Sequence, residues 1–372
     1  MQHNGQQSGA TMNGEPAIAT SVAIIGAGPI GIEMAIALQE VGVDYILFEA
    51  QQIGHTIAKW PPNTHFYSTP EHVALAGVPV QNLNQQPITG EQYLAYLRTL
   101  VEYFDLNLHH YEPVERIEHR EAGFSLQTRS QQGPRSYTCE KLILATGGMA
   151  GPRLLGIPGE DLPHVRHYFP GPHPYFRRRV LIVGGKNSAL EAALRCWRAG
   201  AKVTLSYRRP RLDFDVVKPH LSADISTRLE KGEIDFLPGT VPIEITPYEV
   251  LLGRVDEHFN LTAEVVRHET DAVLLATGFV ADMSLFRQLG VELKGPGEAP
   301  HFDEQTMETN VPGLYVAGTA AGGTQQKFRH FISTSHDHVA RIVKALTGRL
   351  PQKLGSVDAR NNAVSWEEVK RN

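Results

Sequence analysis

The chain has 372 residues, 41% of them hydrophobic and 20% charged, which excludes a disordered or fibrous protein and leaves room for two domains with sizeable cores. A formal net charge of −5 opposes a nucleic-acid or polybasic membrane-surface role, since both need a net positive field. No stretch approaches about 18 uninterrupted apolar residues, and the first twenty residues lack the charged start and apolar stretch of a leader, so neither membrane span nor signal peptide is expected and the expected location is the cytoplasm.

In chain order, residues 1–20 are rich in Gln, Asn, Gly and Ser and read as a disordered tail. Order is expected from Ser21. A buried strand (21–25), a Gly turn, a helix with Ile32, Ala35 and Ile36 on its apolar side, and a second strand (45–48) form a βαβ unit. A second unit lies 158 residues downstream, with a strand (180–183), a turn, a helix (about 188–199) and a strand (203–207). Each unit leads, through short alternating segments, to an apolar strand running into Ala-Thr-Gly, at 141–148 and again at 272–279. Between unit and closing strand the segments 114–120, 124–130 and 135–140 suit an antiparallel three-stranded meander. Those at IDFLPG, VPIEI, YEVLLGR and LTAEVVRH are their counterparts in the second domain. The Pro- and Gly-punctuated stretch 151–174 reads as the link. After residue 300 a strand and a long amphipathic helix are expected to return to the first domain, and the polar end is expected to be loose.

Two glycine turns carry the chemistry. Gly26, Gly28 and Gly31 form GxGxxG between strand and helix: the first allows the tight turn, the second lets backbone approach a pyrophosphate, and the third allows close helix packing. Glu49 closes the following strand, where a carboxylate can accept hydrogen bonds from a ribose. The second turn, Gly184-Gly185-Lys186-Asn187-Ser188-Ala189, places Lys186 at the central glycine position, where its side chain crowds the backbone approach but its ammonium could contact pyrophosphate. Its following strand ends without an acid, in Arg208-Arg209, and positive charge there suits an adenosine 2′-phosphate, so NADPH is expected over NADH. Ala145-Thr146-Gly147 and Ala276-Thr277-Gly278 are small-residue crossings where backbone can pass close to a dinucleotide. Arg177–Arg179 fit a solvated face.

Cys139 and Cys196 stand 57 positions apart, so there is no CxxC pair, and both read as small buried hydrophobes. The 17 histidines, including His109-His110 and His336/His338, read as solvated surface groups, and no metal site is expected.

The layout resembles the thioredoxin-reductase-like flavoproteins. More narrowly, SVAIIGAGPIGIE, WPPNTHFYSTPEHVALAGVPV (60–80), GEQYLAYLR (90–98), HVRHYFPGPHPY (164–175), GGKNSALEAAL (184–194), VKPHL (217–221) and TNVPGLYVAG (309–318) are similar to the bacillithiol disulfide reductase family. The resemblance implies an α/β fold of two Rossmann-like dinucleotide-binding domains, each a three-layer ββα arrangement with a small antiparallel meander. FAD would occupy a discontinuous first domain (21–158 plus 297–350) and NADPH the second (159–296), with 351–372 a loose tail. It implies further FAD-side residues at Pro29, Ile30, Ala50, Gln51, Trp60, Val114, Gly318 and Thr319. Members similar to this chain commonly carry Cys where it has Ile30, and wider relatives have Gly-Asp where it reads Gly318-Thr319.

The expected activity is therefore hydride transfer from NADPH to flavin and then directly to an external low-molecular-weight disulfide, with no catalytic side chain and no dithiol relay. A small electron-carrier protein is the alternative acceptor, as in ferredoxin- or flavodoxin-NADP reductases, and homo-oligomers are possible by analogy. A flavin monooxygenase is opposed by Asp161 and Pro163, which take the Phe and Gly positions of the FxGxxxH linker signature ending on His167. A nucleotide-binding redox sensor without turnover is the non-enzymatic alternative.

Overall fold

The computed structural model describes residues 17–83, 86–325 and 329–355. The chain opens with β1 (Ile18–Ile25), α1 (Pro29–Glu40), β2 (Tyr45–Phe48), α2 (Gly90–Phe104), β3 (Leu108–His109), β4 (Val114–Arg120), β5 (Gly123–Ser130) and β6 (Gly133–Leu144). It continues through β7 (Val165–Arg166), β8 (Arg179–Val183), α3 (Asn187–Arg198), β9 (Lys202–Tyr207), α4 (Pro219–Glu230), β10 (Asp235–Pro238), β11 (Thr240–Ile245), β12 (Glu249–Val255), β13 (Leu261–Glu269) and β14 (Ala272–Leu275). Helix α5 (Ser284–Gln288), strand β15 (Leu314–Val316) and helix α6 (Ile332–Thr347) complete it.

Local sequence explains the helix ends. Pro29 sits at the first position of α1, where its missing N–H costs nothing. Thr89 and Gln92 exchange hydrogen bonds to cap α2, and Gly348, at φ +72°, ends α6.

The described residues fall into two units: residues up to Ala58, His65–Gly151 and those from Val280 on, and Lys59–Thr64 with Pro152–Phe279. In the first, one sheet runs β3-β2-β1-β6-β5-β4, with β15 also on β6. Strands β2, β1, β6 and β15 are mutually parallel, whereas β4, β5 and the start of β6 are antiparallel. The last piece of the meander (135–140) and the Ala-Thr-Gly strand, expected as separate pieces, are thus one continuous strand in β6. Its twelve residues pair on one side with β5 and on the other with β1.

In the second unit the parallel sheet runs β10-β9-β8-β14-β7, and a separate antiparallel sheet runs β11-β12-β13. Alternation decides the layers. Val180, Ile182, Val203, Leu205, Ala272 and Leu274 pack with the helical residues Leu190, Ala193, Leu194 and Cys196. Their neighbours Leu181, Val183, Val273 and Leu275 point the other way, onto Ile245, Val250 and Leu252 of the antiparallel sheet. This is the expected three-layer helix, sheet, sheet arrangement, with one correction: IDFLPG pairs parallel to β9 and is not part of the meander.

Several expected boundaries move. Residues 1–16 lie outside the described residues, but Ile18–Thr20, assigned to the tail, are in β1 and pair with Tyr137–Cys139. Residues 280–296, expected in the second domain, belong to the first unit: the Gln288 side-chain oxygen Oε1 accepts the Ile117 N–H at 2.7 Å and the Thr324 hydroxyl accepts the Ala281 N–H at 2.9 Å. Leu155 and Ile157, expected before the boundary, pack on the second unit's core. Of the tail expected to be loose, residues 356–372 lie outside the described residues, whereas the N–H of Gln352 bonds Glu40 at 3.0 Å and that of Gly355 bonds Glu33 at 2.6 Å. Arg178 and Arg179, read as a solvated face, are tied to Asp271.

Candidate functional site: two dinucleotide turns

In the first unit the parallel pairing of β1 between β2 and β6 brings Gly26, Glu49 and Ala145 to one edge. The Gly26 N–H donates to Phe48 O at 2.8 Å and the Ala145 N–H to Ile25 O at 2.8 Å. Gly26 has φ +107°, and a Cβ there would lie 2.5 Å from Ala145 O; a Cβ on Gly31 would lie 1.8 Å from Gly26 O. Gly28 differs, because a Cβ on it would meet no protein atom within 4 Å. It is the N-cap of α1, with no side-chain cap and no acid in the first turn. Donors at a helix N-terminus that no side chain satisfies, facing open space, can receive a pyrophosphate.

Glu49 is held by the turn itself: one carboxylate oxygen accepts the Ala27 N–H and the other the Gln51 N–H, both at 2.9 Å. Burial raises its pKa and these backbone donors oppose the rise. The remaining lone pairs can accept ribose hydroxyls. Ala50 and Gln51 follow, exposed. Glu112, whose N–H bonds Glu49 O, leads two residues later to Val114 at the start of β4. On the other side of the turn, Thr146 carries a buried hydroxyl with no protein partner, an orphan of the kind a bound ligand would satisfy. Gly147 has φ +77°. The Gly148 N–H donates to the Thr319 hydroxyl at 3.0 Å, leaving that hydroxyl its own proton to donate. Gly318 faces Ile30, which is buried at the second position of α1: a Cβ on Gly318 would lie 3.3 Å from the Ile30 Cβ. These residues fit a dinucleotide such as FAD. Trp60 is not brought together with them within this unit, since Lys59–Thr64 belongs to the second.

Two contributors escaped the sequence reading. The Gly318 N–H donates to His338 Nδ1 at 3.2 Å, and His338, read as a surface histidine, is only 5% exposed. Burial, aided by His330, Arg341 and His336, pushes its pKa down to about 4. Glu33, fully buried on α1, accepts from Ala76 and Gly355 N–H groups and pairs with His336 Nδ1 at 2.6 Å. A His-x-His spacing on α6 was the available signal; nothing local marks its partners.

The second unit repeats the first turn. Gly184 has φ +145°, and a Cβ there would lie 2.6 Å from Ala276 O and 3.0 Å from the Ala189 Cβ. Lys186 is the N-cap of α3, again with no side-chain cap and no acid in the first turn. Asn187 is already engaged, its carbonyl oxygen accepting the Lys218 N–H at 2.8 Å, and Ser188 follows it in the first turn of α3. A Cβ on Gly185 would strike the Tyr207 ring at 2.7 Å, so the turn lies directly on the end of β9, where Arg208 and Arg209 begin. Both arginines are exposed. Arg209 lies 3.5 Å from Asp213, and the Arg208 guanidinium lies over the Phe259 ring. Thr277 donates to Arg153 O at 2.8 Å and Gly278 has φ +98°. These residues fit a second, 2′-phosphorylated dinucleotide.

Neither cysteine lies in either glycine turn. Cys139 and Cys196 are buried and free, and burial pushes each up to about 12. Among the described residues no helix is long and apolar enough to cross a membrane, and no His, Cys, Asp and Glu group could hold a metal ion.

A family model described as pyridine nucleotide-disulphide oxidoreductase matches residues 23–318. A bacilliredoxin reductase of Bacillus subtilis is 31% identical over 88% of this chain and 97% of its own. A solved bacillithiol disulfide reductase of Bacillus cereus superimposes with a TM-score of 0.82 at 30% identity, over 89% of this chain and 99% of its own. A ferredoxin–NADP reductase of Ignicoccus hospitalis is 26% identical over 79% of this chain and 88% of its own. The chain therefore belongs to the pyridine nucleotide-disulphide oxidoreductases, with the bacillithiol disulfide reductases among its relatives, and is an oxidoreductase enzyme whose cofactors are FAD and NADPH.

Proposed function

We propose that this enzyme reduces an external low-molecular-weight disulfide of the bacillithiol type, taking electrons from NADPH through FAD with no protein thiol on the path. When bound, the two cofactors supply hydride transfer from nicotinamide to flavin and an electron pair for the S–S bond, so that NADPH, a proton and one disulfide become NADP⁺ and two thiols. The observation that carries this reading is the state of the thiols. Cys139 and Cys196 are buried with pKa values of about 12, so at neutral pH neither offers a thiolate to attack a disulfide. Position 30, where the family resemblance leads one to expect Cys, is an Ile packed against Gly318. The names of the relatives supply the substrate class.

In this reading the residues hold and orient. Gly26, Gly28 and Gly31 clear space for the FAD pyrophosphate at the start of α1, and Glu49 takes the ribose. Ala50, Gln51 and Val114 flank the adenine, and Thr146, Gly147, Gly318 and Thr319 meet the flavin half. Gly184, Lys186 and Ala189 do the corresponding work for NADPH. Arg208 and Arg209 take its 2′-phosphate, which excludes a preference for NADH.

The test is anaerobic. The purified holoenzyme is reduced with one equivalent of NADPH, bacillithiol disulfide is added, and flavin absorbance is followed. Rapid reoxidation supports the direct route. A flavin that bleaches but stays reduced overturns the substrate, and favours a small electron-carrier protein as acceptor, the reading that the similarity to a ferredoxin–NADP reductase supports.

A further inference from the structure

Beside the end of β9 lies a cavity of about 880 Å³, lined by Arg209, Arg211, Asp213, Glu230, Phe236 and Phe259, among others. Phe259 is its odd member. It sits at the tip of the β12–β13 hairpin with φ +64°, a left-handed conformation that a bulky aromatic residue adopts only under constraint. Burial of the ring is no explanation, since the residue is 46% exposed.

The constraint is built from the hairpin. The Asp256 carboxylate accepts the His258 N–H at 2.8 Å and the Asn260 N–H at 2.9 Å, and the Phe259 N–H donates to Asp256 O at 3.0 Å. The hairpin is in turn tied to the arginine loop, because the Gly239 N–H donates to Arg209 O and the Val255 N–H to Gly239 O, at 3.2 and 2.9 Å. What this arrangement presents is a ring face, and the Arg208 guanidinium lies over it, 5.2 Å from the centroid.

We propose that Phe259 is a positioning residue for nucleotide selection: its ring holds the Arg208 guanidinium where the adenosine 2′-phosphate arrives. The inference rests on the reading of Arg208 given above. A guanidinium lying over an aromatic face keeps its full charge and its in-plane N–H donors, which can fork onto a phosphate. Arg209 is differently placed, since Asp213 at 3.5 Å shares its charge. Fixing Arg208 beforehand also removes part of the rotamer entropy that an exposed arginine would lose on binding.

The experiment measures dissociation constants of 2′,5′-ADP and 5′-ADP by titration calorimetry on the holoenzyme, for the wild type and for Phe259→Leu, Phe259→Tyr, Arg208→Ala and the Arg208→Ala/Phe259→Leu double variant. Phe259→Leu is expected to weaken 2′,5′-ADP about two- to five-fold while leaving 5′-ADP unchanged. Phe259→Tyr should restore wild-type values, and Phe259→Leu should add nothing once Arg208 is gone. Equal losses on both ligands, or no loss, overturn the role of Phe259 while leaving the 2′-phosphate assignment standing. A wild type that does not favour 2′,5′-ADP over 5′-ADP overturns the assignment itself and the inference with it.

Discussion

The carbonyl oxygen of Ala145 stands 2.5 Å from where a Cβ on Gly26 would be, and that of Ala276 stands in the same relation, 2.6 Å, to Gly184. Each Ala-Thr-Gly strand end therefore presses on the first glycine of its own turn. Gly28, by contrast, has open space before it and an unstrained φ of −76°.

The glycines thus separate by experiment. Gly26→Ala must move backbone and adopt a positive φ, and is expected to cost on the order of 3 kcal/mol in urea unfolding. Gly28→Ala should leave the apoprotein's stability within about 0.5 kcal/mol while sharply lowering the flavin that copurifies. Unchanged flavin content in Gly28→Ala would remove the pyrophosphate from this turn.

His338 makes stability depend on pH. Its neutral ring accepts the Gly318 N–H through Nδ1, and protonation would turn that acceptor into a donor. With its pKa lowered from 6.5 to about 4 in the fold, the unfolded chain takes up the proton first as pH falls. The stabilisation is complete above about pH 6.5 and is lost progressively toward pH 4, on the order of 3 kcal/mol for this group. Urea unfolding at pH 7.5 and 5, compared between wild type and His338→Leu, checks this: the variant should show the shallower decline.

Glu33 gathers three segments onto one carboxylate: α1 itself, the Ala76 turn and the end of the described chain at Gly355, with His336 Nδ1 of α6 hydrogen-bonded to its other oxygen. Removing a fully buried acceptor strands these donors, so Glu33→Ala is expected to destabilise by about 3 kcal/mol. Truncation after Gly348 should lower the melting temperature as well, because it deletes the Gly355 donor. A truncated chain as stable as the full one would show that the segment merely rests there.

What was legible in the sequence was local. The uninterrupted apolar runs Val180–Val183 and Ala272–Leu275 mark strands buried on both faces, and the glycine spacings mark the turns, because each is decided by neighbours a few residues away. What escaped was settled at long range. The start of β1 is ordered because Ile18–Thr20 meet Tyr137–Cys139, and β10 joins the parallel sheet because β9 offers it an edge. The histidines of α6 look solvated until Gly318 and Glu33 are placed beside them. The Arg208–Phe259 pair is joined only through the hairpin fold, so the sequence showed the charge and not what aims it.

The proposed role of that charge in nucleotide choice is testable. Arg208→Ala with Arg209→Ala should raise the KM for NADPH at least about tenfold, the scale of losing charge-assisted hydrogen bonds to a phosphate, while the KM for NADH changes little. Equal losses for both nucleotides would sink the 2′-phosphate assignment.

The thiol-free route makes the last prediction. Both cysteines pack as small apolar groups, Cys139 on β6 and Cys196 among Leu190, Ala193 and Leu194. The double variant Cys139→Ala/Cys196→Ala should lose about 1–2 kcal/mol of stability through small cavities, yet keep the wild-type kcat for disulfide reduction and the same stoichiometry of two electrons per flavin in anaerobic titration. Uptake of more than two electrons by the wild type, lost in the double variant, would reveal a thiol on the path. Because burial holds both thiols near pKa 12, raising the pH from 7 to 9 should likewise leave the reoxidation of the reduced enzyme by disulfide without the rise that an emerging protein thiolate would bring.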